Sequence, residues 1–355
     1  MSVTRKLIGA AAGLAAAGVA VGVAQRSRVI ARRGAGDETP FGSLRSTPLH
    51  IITDDATDLY AEVDEALGAT SGRGSRSVEE GLTVIFAHGY SLNLDSWHFQ
   101  RAGYRGQIRT VFYDQRSHGR SARSGEANST IDQLGIDLLR VIEQTAPGPC
   151  VLVGHSMGGM SIIALAEQHP ELFGDKVVGV GLISTTAGGL DPGRILFPML
   201  PLGLGGRVMA PAVRTLYRGH RIVDLMRKWG HAAAEVVTDR YAFGDDVPRH
   251  YIDFVYDMLN DTPFSVVADF YPAFAGLEKF EHVEVLGQVP TAVICGTEDK
   301  VTTIGHARKL HSRIPGSSLL ECEGAGHMVI LERHAEVNAE LDDLISLAQG
   351  RLEAR

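Results

Sequence analysis

The sequence has few cysteines and no net basic charge. Its 355 residues contain three cysteines, an odd number without C-x-x-C spacing, which argues against a disulfide framework and against a zinc site. Acidic residues outnumber basic residues by 42 to 34, and without a basic stripe a nucleic-acid partner is not expected. Hydrophobic residues make up 44% of the chain, so a large core can be buried.

Apolar strand-like runs alternate with helix-like segments along much of the chain. Strands are predicted at 82–87, 109–114, 150–155 and 177–184, with helices near 95–102, 130–145 and 157–169. Such alternation predicts a parallel sheet. Between 187 and 285 the alternation stops, and the sequence becomes helical in character and rich in large apolar residues. We therefore predict a separate helical segment there.

The stretch Gly154-His155-Ser156-Met157-Gly158 has the pattern G-x-S-x-G between an apolar run and a helix-like run. A strand, this pattern and a helix in succession are typical of a nucleophile elbow, a sharp turn that exposes a reactive serine. Glycines two residues before and after the serine are needed because the turn brings neighbouring backbone very close. The Ser156 hydroxyl then lies at a helix N-terminus, where the N–H of Met157 favours a developing oxyanion.

A serine hydroxyl is a weak nucleophile at neutral pH, so Ser156 requires a base, and the base requires an acid that orients it. In an elbow of this kind the chain order is serine, then acid, then histidine. His327 follows the predicted strand at 318–322 and is preceded by Gly324 and Gly326. We predict that His327 is the base.

The predicted acid is Asp299, in the loop just after the strand-like run at 291–296. Its rivals are the adjacent Glu298 and Asp191, which follows the sixth strand. Parallel sheets place their sites on loops at the carboxyl edge, so Asp299 is expected to meet Ser156 and His327 there.

A second oxyanion donor is expected from the loop after the third strand. The predicted strand at 82–87 is followed by His88-Gly89-Tyr90, and the backbone N–H of Tyr90 is the candidate that would act with Met157. His88 is predicted to orient this loop rather than to react.

The segment 114–121 concentrates Asp, Arg, His and Ser residues directly after the predicted strand at 109–114. We interpret it as structural, because its polar side chains would brace a sharp loop beneath the elbow. Asp114 and His118 are therefore placed outside the catalytic set.

With these motifs the chain resembles the α/β-hydrolase superfamily, from about His50 to Leu347, and its Ala- and Gly-rich composition is similar to that of actinobacterial members. The resemblance rests on His88-Gly89, the loop at 114–121, the elbow at 154–159, the run from Gly296 to Asp299, and Gly326-His327. It implies an α/β fold: a mostly parallel eight-stranded sheet with helices on both faces and a helical cap inserted after the sixth strand. The implied domains are a linker at 34–47, a core at 48–186 and 286–350, and a cap at 187–285.

The resemblance also implies a function. A serine hydrolase would cleave a carboxylic ester with an apolar acyl or alcohol part through an acyl-enzyme, with no cofactor or metal. The elbow is similar to those of esterases, lipase-like enzymes and cofactor-free perhydrolases. A perhydrolase or thioesterase with the same triad is the alternative, and a non-catalytic ligand-binding homologue is a third interpretation. Epoxide hydrolases and haloalkane dehalogenases of this fold use an Asp nucleophile, and position 156 is Ser.

Residues 7–24 are 18 consecutive apolar residues with basic residues on both sides, so residues 1–33 are predicted to act as a membrane anchor or a signal. Arginines at 26, 28, 32 and 33 would impede export of the chain beyond them. We predict a membrane-anchored protein with a cytoplasmic catalytic domain acting on a small or lipid-like ester. Export after cleavage behind Ala24 is the alternative.

Overall fold

Runs of apolar residues form the strands of a single eight-stranded sheet. The structure, a computed structural model, describes residues 26–27, 39–67, 81–190 and 231–354. The strands are β1 (Pro48–Ile52), β2 (Asp58–Asp64), β3 (Thr83–Ala87), β4 (Arg109–Tyr113), β5 (Cys150–His155), β6 (Val177–Ile183), β7 (Thr291–Gly296) and β8 (Ser318–Cys322). The described helices are α1 (His98–Tyr104), α2 (Ile131–Thr145), α3 (Met157–Gln168), α4 (His231–Ala242), α5 (Arg249–Asp261), α6 (Phe264–Ala275), α7 (Ile304–Arg313), α8 (Val329–Glu332) and α9 (His334–Glu353).

The sheet is mostly parallel. Its strand order is β1-β2-β4-β3-β5-β6-β7-β8, and only the pairs β1–β2 and β2–β4 are antiparallel. Every residue of β3, β5, β6 and β7 is buried, whereas β1 at the edge exposes four of its five residues. Fully buried parallel strands require helices on both faces, which explains why these strands are continuous apolar runs. The predicted fold class is confirmed.

Alternation of side chains along the strands divides the core between the two faces of the sheet. In β3, Val84 and Phe86 pack on the face covered by α1, α8 and α9. Ile85 and Ala87 pack on the opposite face, covered by α2, α3 and α7. Phe86 stacks on Phe112 of the neighbouring strand with ring centroids 4.8 Å apart. The rigid sheet therefore fixes where each strand ends, and with it the positions of the loops at its carboxyl edge.

Helices α4, α5 and α6 lie between β6 and β7 in the chain, within the predicted cap. Helix α6 packs on the start of α3, where Phe270 and Phe274 join Met157 and Met160 in one apolar cluster. Residues 191–230 of the predicted cap lie outside the described residues, and the domain boundaries stay predictions. Phe41, in the predicted linker, stacks on the ring of Phe254 in helix α5, with ring centroids 4.5 Å apart.

The predicted transmembrane helix needs a correction. A membrane-spanning helix requires about 20 predominantly apolar residues, and none of the helices in the described ranges is long and apolar enough. Even α9, which has 20 residues, carries exposed acidic side chains such as Asp342 and Asp343. The predicted segment at 7–24 lies outside the described residues. This finding corrects the predictions of a transmembrane helix and of a membrane-anchored localisation.

Candidate active site

The predicted elbow is a strained turn between β5 and α3. Ser156 has φ 52° and ψ −114°, a conformation that L residues rarely adopt. Its backbone is fixed because its N–H donates to the carbonyl of Ile183 at 2.9 Å and its carbonyl accepts from the Thr185 hydroxyl at 2.6 Å. A Cβ at Gly158 would lie 2.0 Å from the carbonyl oxygen of Ala87, so only glycine fits there.

The structure brings Ser156, His327 and Asp299 together from the loops after β5, β8 and β7. The Ser156 hydroxyl lies 3.0 Å from Nε2 of His327, and Nδ1 of the same ring lies 2.9 Å from Oδ2 of Asp299. Because an ionised carboxylate only accepts hydrogen bonds, Nδ1–H donates to Asp299 and Nε2 accepts from the serine. This tautomer is the one in which His327 can take the serine proton.

Asp299 is surrounded by donors as well as by His327. Its Oδ1 accepts the N–H groups of Val301 at 2.8 Å and Thr302 at 3.0 Å, and its Oδ2 accepts the Thr302 hydroxyl at 3.0 Å. Burial opposes ionisation, but the facing His327 and these donors outweigh it and lower the pKa of Asp299. Thr302 was not singled out by its sequence, because its role depends on a contact that only the folded loop creates.

Of the two rivals for the acid, Glu298 is exposed, although it is adjacent to the buried Asp299 in the chain. Its backbone N–H bonds the carbonyl of Ala325, and this contact holds its loop beside the histidine loop. Asp191 lies outside the described residues. The site therefore presents Asp299 to His327, while its catalytic role stays a prediction.

The loop after β3 packs closely against the elbow, where the second oxyanion donor was predicted. A Cβ at Gly89 would lie 2.8 Å from the ring of His155, so glycine allows this close approach. Tyr90 lines the same cavity as Ser156, and Met157 begins α3, where the first N–H groups have no intrahelical partner. The Tyr90 ring packs edge-on against Phe274, with centroids 4.9 Å apart.

His88 holds this loop through both ring nitrogens. Nδ1–H donates to the carbonyl of Gly89 at 2.7 Å, and Nε2 accepts the N–H of Gln115 at 2.9 Å. Complete burial lowers the pKa of His88 to about 3, so the ring is neutral. These contacts agree with an orienting role. Gln115, which accepts the Ser161 hydroxyl at 2.8 Å and so joins this loop to α3, carried no signal in the sequence.

His155 is a second orienting histidine, and its role did not emerge from the sequence. Its Nε2–H donates to the backbone carbonyl of His327 at 2.9 Å, so the elbow directly fixes the loop that carries the base. Burial, followed by the nearby His327, lowers the pKa of His155 to about 3. Its position inside the G-x-S-x-G pattern is the signal that could have drawn attention to it.

Glu332 also acts on the histidine loop, from helix α8. Its carboxylate accepts the N–H of Gly326 and, from the turn after α4, those of Gly244 at 2.9 Å and Asp245 at 3.2 Å. Burial raises the pKa of Glu332, and these donors oppose that shift. The N–H of Met328 also donates to the carbonyl of Ala242 at 2.8 Å. We call this bond and the three bonds to Glu332 the clasp. It joins the cap to the loop of the predicted base.

The loop at 114–121 is built from buried polar contacts, in agreement with the structural interpretation. Oδ1 of Asp114 accepts the N–H of Leu94 at 2.7 Å, and its Oδ2 accepts that of Arg120 at 2.8 Å. Burial raises the pKa of Asp114 to about 7. Nδ1–H of His118 donates to the carbonyl of Arg116 at 2.9 Å. Neither Asp114 nor His118 contacts the Ser156–His327 pair.

A cavity of about 420 Å³ opens onto Ser156 and His327. Most of its lining is aliphatic or aromatic and comes from the loop after β3 and from helices α5 and α6, including Leu92, Val255, Leu259, Phe264, Val267 and Phe274. A cavity of this size and character suits a small apolar molecule. Across the described ranges, no group of three or more His, Cys, Asp or Glu residues is arranged to hold a metal ion.

Comparison with known proteins identifies the class. Residues 84–340 match the model of the Alpha/beta hydrolase family, and because this match covers most of the chain, the protein belongs to that family. Among solved structures, it is similar to an enol-lactonase from Burkholderia xenovorans LB400, with TM-score 0.64, 24% identity, and coverage of 84% of this chain and 100% of that one.

Two further proteins show the breadth of the likeness. A thermophilic esterase from Thermogutta terrifontis is similar with TM-score 0.64 and 20% identity, over 85% of this chain and 99% of that one. The dihydrolipoyllysine-residue acetyltransferase component of the acetoin cleaving system of Pseudomonas putida is 23% identical over 74% of this chain. The match spans only 63% of that relative's length. At these identities the likeness concerns the fold.

Proposed function

We propose that the protein is a serine hydrolase that cleaves a carboxylic ester with an apolar acyl or alcohol part. The observation that carries this proposal is the continuous hydrogen-bonded chain from Ser156 through His327 to Asp299 at the base of an apolar cavity. The esterases among its structural neighbours support the same reaction class.

In the first half of the reaction, the Ser156 oxygen attacks the ester carbonyl while Nε2 of His327 accepts the hydroxyl proton. Asp299 stabilises the imidazolium that forms and keeps Nδ1 protonated. The backbone N–H groups of Tyr90 and Met157 would hold the oxyanion of the tetrahedral intermediate. Collapse of that intermediate breaks the bond to the alcohol oxygen, which takes the proton from His327 and leaves.

In the second half, a water molecule replaces the alcohol. His327 accepts a proton from this water as its oxygen attacks the acyl carbonyl, and the bond to Ser156 then breaks as the serine oxygen recovers a proton. The products are a carboxylic acid and an alcohol, one water molecule is consumed, and the protein returns to its starting state.

The test compares Ser156→Ala and His327→Ala with the parent protein on p-nitrophenyl butyrate and on a fluorophosphonate probe. Both variants should lose at least about 10⁴-fold in kcat, because members of a triad act as a unit. Ser156→Ala should also lose covalent labelling. Ser312→Ala, at an exposed position near the end of α7, is the matched control and should keep both activities. Labelling of Ser156→Ala at the parent rate would refute the proposed nucleophile.

A further inference from the structure

Several polar side chains interrupt the apolar lining of the cavity, and two of them lie near the loop that contains Tyr90. These two are the Ser91 hydroxyl, beside the oxyanion loop, and the Asn260 amide, on cap helix α5. Within the described part of the chain, neither side chain hydrogen-bonds another protein group. Leaving a polar group unpaired against an apolar wall costs free energy, and an apolar residue would line the same wall without that cost. These two groups are therefore available to a molecule in the cavity.

The two groups belong to the same region of the cavity wall. Asn260 lies two residues before Thr262, whose hydroxyl donates to the backbone carbonyl of Ser91 at 3.2 Å. The end of α5 is thus joined to the loop that contains Tyr90. Asn260 follows Tyr256 by one helical turn, and both residues line the cavity, so the face of α5 that carries the amide is the one turned toward the ligand space.

The charge of this region limits what it can bind. Among the described lining residues there is no Asp, Glu, Lys or Arg, so a charged ligand group would find no opposite charge. An amide and a hydroxyl can each donate and accept a hydrogen bond. A neutral hydroxyl, ketone or amide group is the chemistry that satisfies both.

We infer that Asn260 and Ser91 form a polar subsite that selects esters with a neutral hydrogen-bonding group on an otherwise apolar chain. This inference rests on the proposed function and narrows its substrate class. Asn260 is the main specificity-determining residue, because its amide offers two donors and an acceptor, and Ser91 supplements it from the side of the oxyanion loop.

The test uses pairs of p-nitrophenyl esters, each an unsubstituted hexanoate and a counterpart with one hydroxyl at carbon 3, 4, 5 or 6. The parent protein should show kcat/KM at least about tenfold higher for one of the hydroxylated esters than for the plain ester, because a site built for a polar group discriminates against its absence. In Asn260→Leu this ratio should fall to near one, mainly through KM for the hydroxylated ester. Ser91→Ala should reduce the ratio less.

Leu259→Ala is the matched control, since Leu259 lines the cavity from the same helix and is apolar. It should change kcat/KM for both esters of a pair by similar factors and leave the ratio intact. Equal losses for both esters in Asn260→Leu would assign Asn260 a merely structural role. Preference for the plain ester at every hydroxyl position would overturn the subsite.

A binding measurement separates this inference from the proposed function. Ser156→Ala protein is titrated calorimetrically with a methyl ketone and with its hydroxylated counterpart, neither of which requires turnover. The hydroxylated ketone should bind about fivefold more tightly, as expected for one net hydrogen bond, and Asn260→Leu should abolish the difference. If the parent protein hydrolysed no ester but Ser156→Ala kept this binding preference, the proposed hydrolase function would be rejected and the subsite would be retained. If the parent protein hydrolysed esters but Ser156→Ala showed no binding preference, the subsite would be rejected and the proposed function would be retained.

Discussion

Replacement of Asp299 by Asn tests the tautomer on which the proposed mechanism depends. Oδ1 of Asp299 accepts two backbone N–H groups, from Val301 and Thr302, so the oxygen of an Asn amide must occupy that position. The reverse orientation would point NH₂ at both donors and leave two buried groups unsatisfied, at about 1–3 kcal/mol each. In the favoured orientation, the NH₂ group takes the place of Oδ2 and faces Nδ1 of His327, so Nδ1 must become the acceptor.

The consequence appears at the other ring nitrogen. With Nδ1 unprotonated, Nε2 carries the hydrogen and faces the Ser156 hydroxyl at 3.0 Å as a donor. It can no longer accept the serine proton. We expect kcat to fall about 10⁴-fold, which corresponds to a barrier higher by roughly 5.5 kcal/mol.

The assay is the steady-state hydrolysis of p-nitrophenyl butyrate by Asp299→Asn, with thermal unfolding measured to verify the fold. Glu298→Gln is the matched control, since Glu298 is exposed and next in the chain, and its kcat should stay within about tenfold of the parent value. If Asp299→Asn retained a tenth of the parent kcat, the role assigned to the tautomer would be refuted. Loss of activity in Glu298→Gln instead would move the acid to that residue.

Two further predictions concern stability. Burial lowers the pKa of His88 and His155 from 6.5 to about 3, and that of His118 to about 4. Between these values and pH 6.5, the three histidines are protonated in the unfolded chain but neutral in the folded protein. Their contribution is complete above pH 6.5 and is lost as the pH falls towards these folded values, at up to about 1.4 kcal/mol per pH unit for each histidine. Urea unfolding at pH 7, 6 and 5 checks this, and a constant midpoint would contradict it. Gly158→Ala should destabilise the fold by about 3 kcal/mol or more because of the clash with backbone, whereas Gly350→Ala, with open space around it in a helix, should stabilise it by up to about 1 kcal/mol. Denaturant midpoints of this pair measure the difference, and equal midpoints would disprove the importance of the close packing at Gly158.

The parts of the structure that depend on local sequence were predictable. The strand expected at 82–87 is found at Thr83–Ala87, and the one expected at 150–155 is found at Cys150–His155. Both are buried on two faces, so each is a continuous apolar run that ends where the chain turns at the sheet edge. The order of serine, acid and histidine reflects the same regularity, because each residue lies in the segment that follows a parallel strand.

The supporting contacts could not be predicted in this way. Gln115 and Glu332 each act through a hydrogen bond to a segment that is distant in the chain. Thr302 bonds Asp299 within one loop, and this contact forms only when the loop is folded. The membrane prediction failed for a related reason. It rested on the composition of one terminal segment, and the described helices gave it no support. Periodicity identifies which face of an element is buried, but it does not identify which partner that face meets.

The clasp also makes movement of helix α4 observable in the loop that carries His327, the predicted base. Helix α4 cannot lift at its carboxyl end unless Glu332 releases Gly244 and Asp245 and the carbonyl of Ala242 releases Met328. Opening there exposes backbone amides that are otherwise hydrogen-bonded, so a ligand that holds the cap closed slows their exchange with solvent deuterium. The amide of Gly326 is bonded to the other oxygen of the same carboxylate, Oε1, and stays bonded while Glu332 keeps its place. Deuterium uptake by a few residues around His327 would therefore report how often the cavity opens, before any substrate is known.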